Sequence, residues 1–276
     1  MRAAAFFAAF AAAVLMCAAQ TADDEANPRV LLCGEADAAI AVGNYPEAIA
    51  RLEDALRVAP EAPDNALLLN NMAVLYAMEG KAAEAMTAVD RALALAPGLK
   101  RAHLTKSRIL ISIGRDADAL PELEKVLAVD SLNCEVRYLH GLISLQNGNL
   151  AGAEADFAVL KDVAPDDNDT ASALATLYAR TSREAEALPY IDRLIANTPA
   201  AEYYVLKSRC LLTLRRFSEA SSAIGEGLEK YPDDPELYFC RAWLSKEQYR
   251  PEEAERYIRR AVELGYPRQE AAKLMK

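Results

Sequence analysis

The chain has 276 residues, 53% of them hydrophobic, which is enough for a substantial core and argues against disorder. Only 19 residues are aromatic while 56 are Ala, the strongest helix former, so closely packed helices are expected; 11 Gly and 13 Pro are too few for a collagen-like or linker protein. With 31 Lys and Arg against 41 Asp and Glu the formal net charge is −10, the wrong sign for binding nucleic acid across the whole surface.

Residues 1–19 carry one cation, Arg2, then an apolar Ala-rich run without an acid, followed by the polar stretch Gln20 to Glu25. That is the layout of a secretory signal peptide, and the run is too weakly apolar for a lasting membrane span. Cleavage after Ala19 leaves small residues, Cys17 and Ala19, at the third-last and last positions. Lipidation of Cys17 is the less favoured alternative, because Met16 fits poorly before a lipidated Cys. Export, with a periplasmic destination, is the expectation, and residues 20–28 form an N-terminal linker.

Self-similarity begins at residue 29. The segments starting at Gly43, Gly80, Gly114 and Gly148 each lead into a helical pattern that ends at Pro60, Pro97, Ser131 or Pro165, and the last three glycines are spaced by 34 residues. Three later copies, opening at Arg183, Arg216 and Arg250, lack the Gly and keep the rest. The units run 29–62, 66–99, 100–133, 134–167, 168–200, 201–234 and 235–268, with 269–276 as a capping segment over the last apolar face.

Each unit reads as two helices with small residues where their backbones approach. Ala48, Ala85, Ala119, Ala153, Ala187, Ala220 and Ala254 share one second-helix slot. The matching first-helix slot holds Ala36, Ala73, Ser107, Gly141, Ala175, Ser208 and Ala242. Four residues after each second-helix Ala stands a large apolar side chain on the same face: Leu52, Val89, Leu123, Phe157, Ile191, Ile224 and Ile258. Pro121 and Pro189 fall inside second helices, where a missing N–H can kink them.

This pattern resembles the tetratricopeptide repeat, a 34-residue helix-turn-helix, over residues 29–268. The resemblance implies an all-α, right-handed superhelical solenoid of about seven units, whose first helices line a concave groove that binds a polypeptide. In that frame the groove residues are Asn70, Arg101, Leu104, Arg108, Tyr138, Arg180, Arg209, Phe239, Trp243 and Lys246. Arg grips carboxylates bidentately and aromatics anchor partners, so a peptide with acidic and apolar residues suits this set. The same cations also have acids within reach along the helices, Glu135, Asp169, Glu202 and Glu236, and spacing alone leaves both uses open. The carboxylate clamp of chaperone-binding relatives is not reproduced, because Val74, Leu104 and Arg108 occupy slots beside Asn70.

Chemistry is sparse. His103 and His140 have no Cys or carboxylate at metal-ligand spacing, so packing or surface roles are expected and no metal site. Cys210 and Cys240 are the best placed for a disulfide, though buried free thiols are the preferred state for them and for Cys33 and Cys134. No phosphate-binding glycine loop, nucleophile elbow or catalytic carboxylate pair stands out, and no cofactor is expected. The reading is a non-enzymatic interaction scaffold of the bacterial cell envelope. The alternative is a solenoid holding a small molecule or glycan on Tyr138, Phe239 and Trp243.

Overall fold

The computed structural model describes residues 27–274, so the signal-like segment, most of the linker and the last two residues lie outside the described part. Fifteen helices and no strand occur among the described residues. They are α1 (Pro28–Ala41), α2 (Tyr45–Val58), α3 (Asn65–Met78), α4 (Ala82–Leu95), α5 (Lys100–Ser112), α6 (Asp116–Leu127), α7 (Cys134–Gln146), α8 (Leu150–Val163), α9 (Asn168–Arg180), α10 (Glu184–Asn197), α11 (Ala201–Thr213), α12 (Phe217–Lys230), α13 (Pro235–Glu247), α14 (Pro251–Glu263) and α15 (Arg268–Leu274).

They form two compact units that divide after Ile143, within α7. In the first, α1 packs on α2, α3 on α4 and α5 on α6; each pair then meets the next through α2 against α3, α4 against α5 and α3 against α5. The second repeats the scheme with α9 on α10, α11 on α12 and α13 on α14, extended by α8 against α9 and α15 against α14.

The small-residue slots account for this packing. All seven second-helix alanines, Ala48 through Ala254, have no exposed surface, and neither do Ala36, Ala73, Ser107, Ala175, Ser208 and Ala242 in the first helices. With no side chain beyond Cβ or a hydroxyl, the facing backbones close to contact and exclude water. The hydroxyls are satisfied within their own helices: Ser107 Oγ donates to the Leu104 carbonyl at 2.8 Å and Ser208 Oγ to the Tyr204 carbonyl at 2.7 Å. One turn on, Val89, Leu123, Phe157, Ile191 and Ile224 are fully buried, each worth about 1.5–3 kcal/mol of apolar burial. Ile258 is only half-buried, because the short α15 is all that follows its pair.

The turns are more uniform than the sequence implies. In each of the seven, an N–H bonds the carbonyl five residues back, as in Asn44 to Ala39 at 2.8 Å and Arg250 to Ser245 at 2.9 Å. That closure requires a left-handed residue just before the donor. Gly43, Gly80, Gly114 and Gly148 supply it with φ of 73–78°, and where Gly is missing Ser182, Arg215 and Tyr249 take φ of 56–58° themselves. Loss of the Gly therefore leaves the turn intact at a local conformational cost. Pro121 and Pro189 lie in α6 and α10, whose helical runs continue through them.

Tyr249 is 91% exposed and makes the cost measurable in isolation. Tyr249→Gly should stabilise the chain by about 0.5–1 kcal/mol in urea unfolding, while Gly114→Ala, whose new Cβ meets only open space, should destabilise it by about 1 kcal/mol.

Candidate interaction surface

The first-helix residues expected to face a partner fall in both units. In the first, Asn70 and Val74 on α3 are buried, and Val74 packs with Ile40 and Met78 in a small apolar cluster. Asn70 Oδ1 is buried without a hydrogen-bond partner among the described residues. On α5, Arg101 is exposed, while Leu104 is half-buried against the core cluster that Tyr138 of α7 also joins. Arg108 is 7% exposed, and its Nε donates to Glu135 Oε1 at 2.7 Å, with the terminal guanidinium nitrogen on the same oxygen.

In the second unit Arg180 is exposed and donates to the Leu145 carbonyl at 2.8 Å. Arg209 lies 3.6 Å from Glu236, an exposed pair worth about 0–1 kcal/mol. Phe239 stacks on Tyr266 with centroids 4.4 Å apart and planes 11° from parallel. Burial pushes the Tyr266 phenol up, and Arg209 and Glu236 act on it from close by, so these four side chains form one cluster. Trp243 Nε1 donates to Glu247 Oε1 at 3.3 Å, and Lys246 Nζ donates to the Leu274 carbonyl, tying α13 to the capping helix.

Of the acids that competed for these cations, Glu135 and Glu236 are the ones taken. Arg101 alone of the expected basic groove residues has no described partner. Phe239 gives one ring face to Tyr266, which leaves the small-ligand reading one platform poorer.

A polar network that spacing did not reveal joins α5 to α6. His103 Nδ1 lies 2.5 Å from Glu122 Oε2 and its Nε2 2.8 Å from the Pro97 carbonyl oxygen. Glu122 also accepts from Lys125 Nζ at 3.2 Å, with Lys106 Nζ 3.8 Å away and itself 2.8 Å from Asp90. Burial pushes the Glu122 carboxyl up, but the hydrogen bonds from His103 and Lys125 and the charges of Lys125 and Lys106 outweigh it and hold the group below its ordinary value. The expected packing role of His103 takes this form. Among the described residues no group of three or more metal-ligating side chains gathers, and no helix is long and apolar enough to cross a membrane.

Cys134, Cys210 and Cys240 are free thiols, Cys210 and Cys240 buried and Cys134 half-buried; Cys33 is buried as well. Burial pushes the Cys210 thiol up to about 11 and the Cys240 thiol up to about 12, which makes both poor nucleophiles.

The tetratricopeptide repeat model matches residues 33–100, 104–169 and 172–235, more than half of the chain. The chain belongs to the tetratricopeptide repeat family. Solved structures share its fold: a tetratricopeptide repeat protein from Parabacteroides merdae is 21% identical, with a TM-score of 0.65 over 90% of this chain and 97% of its own. PilW, described as a widely conserved type IV pilus biogenesis factor, is 19% identical at a TM-score of 0.63, covering 76% of this chain and 97% of its own. YrrB, described as a tetratricopeptide repeat protein with an unusual peptide-binding site, is 20% identical at 0.54, covering 66% and 93%. No curated protein matches the sequence.

Two outcomes follow. The depressed Glu122 carboxyl contributes stability that is present above the ordinary carboxylate range and lost as pH falls through it, so Glu122→Gln should cost about 1–3 kcal/mol at neutral pH and flatten the loss of stability on acidification. Thiol titration of the native chain, read by peptide mapping, should label Cys134 ahead of Cys210 and Cys240, which react only on unfolding.

Proposed function

We propose that this repeat protein is a non-enzymatic interaction scaffold that binds an extended polypeptide segment on the side chains of its first helices. The observation that carries the reading is Arg101, an exposed first-helix guanidinium with no described partner, suited to a carboxylate on such a segment. The family match points to no catalytic family, and the peptide-binding site in the description of YrrB agrees with this class of role.

The envelope assignment rests on the signal-like residues 1–19 and on fold likeness to a pilus biogenesis factor. Partners are protein or peptide, with acidic residues favoured by Arg101; no nucleic acid is proposed.

The test is selection of a random peptide library on the immobilised chain, followed by affinity measurement of the enriched peptides. Arg101→Glu should weaken peptides that carry an acid about tenfold and leave the unfolding free energy unchanged. Enriched acidic peptides that bind wild type and the variant equally would place recognition elsewhere.

A further inference from the structure

The last helix pair is followed by α15, whereas among the described residues no helix precedes α1. Leu31 stands five residues before the small slot at Ala36, and Ala38 two residues after it. The same two positions hold Leu68 and Leu75 in α3, Ala102 and Ile109 in α5, and Leu237 and Leu244 in α13. All six are buried, at 6% exposure or less, in helices that the preceding second helix packs against: α2 on α3, α4 on α5 and α12 on α13. In α1 the same positions are open, with Leu31 53% exposed and Ala38 exposed as well.

This face is built like a covered one. The exposed residues of α1 are Pro28, Leu31, Gly34, Glu35, Ala38 and Ala41, and the one charge among them, Glu35, is paired with Arg51 at 3.2 Å. A terminal repeat that meets water needs a polar outer face, which α1 lacks. Gly34 lies mid-helix, where Gly costs about 1 kcal/mol relative to Ala, and a Cβ there would meet only open space among the described residues, so its smallness serves no described neighbour and lets a covering chain come close. The chain carries a cover in the matching place. Its second helices end three to six residues before the next first helix, as at Asn197 before Ala201 and Val58 before Asn65. The apolar run 3–19 is separated from Pro28 by a comparable polar stretch, Gln20 to Asn27. It is Ala-rich, as is the buried face of a second helix such as α4, with Ala85, Ala88, Val89 and Ala92.

We propose that the apolar segment 3–19 of this chain, while it remains attached, docks across Leu31, Gly34 and Ala38 of α1 in the place of a preceding second helix and caps the first helix pair. A second copy fits this face worse: α1 has 14 residues and is about 21 Å long, too little surface for a stable dimer, which buries about 800 Å² on each side. Cleavage after Ala19 uncovers the face. The contact is separate from the first-helix reading built on Arg101 and does not depend on it.

The test is limited chymotrypsin digestion of the uncleaved 276-residue chain, following cleavage after Phe6, Phe7 and Phe10 by mass spectrometry, in wild type and in a Leu31→Glu, Ala38→Glu variant. Both substituted positions are exposed, so the variant keeps its helices, and a charge on the docking face should speed cleavage of the segment about tenfold. The reciprocal change, Phe7→Glu with Phe10→Glu, leaves every described residue as it is and should speed hydrogen exchange in α1 while α3 to α14 exchange as in wild type. The Arg101→Glu change should leave both readouts unaltered, which separates this contact from the peptide surface. Equal cleavage in wild type and variant, unchanged α1 exchange in the reciprocal variant, or protection that grows with chain concentration, which would assign it to a second copy, would each overturn the proposal.

Discussion

The structure depends on backbone proximity at one repeated point, where a second-helix Ala meets a small first-helix residue. All seven alanines and six of their first-helix counterparts are wholly buried, and the large apolar side chain one turn later fills the space beside them. A Leu at such a slot would push two helices apart, a cost of about 1–3 kcal/mol by overpacking. First-helix positions that stay exposed outside these buried ones, such as Arg101, are not needed to hold a pair together and are left to serve a binding surface.

The same economy explains why the turns survive without their glycines. Each turn closes with an identical hydrogen bond, and the helix pair on either side fixes its geometry, so Ser182, Arg215 and Tyr249 are held in a left-handed conformation that an isolated peptide would avoid. Tertiary packing overrides local preference here by a margin of about one kcal/mol per turn.

The fold was legible because its determinants are periodic. A recurring Ala, a small partner and an apolar residue four positions on mark a helix pair in any copy, whatever else varies. The surface was less legible, because a cation's partner depends on which rotamer reaches which acid. Arg108 and Arg209 are taken by Glu135 and Glu236, while Arg101 on the same series of slots is left open. The link from His103 to Glu122 spans 19 residues and joins two helices, so no local pattern announces it.

First helices serve a partner while second helices serve the fold. Hydrogen–deuterium exchange of the chain with and without a peptide selected on it tests this directly. Slowed exchange concentrated in α3 and α5 on peptide addition is the predicted result. Protection confined to second helices such as α4 and α6, with α3 and α5 unchanged, would contradict it.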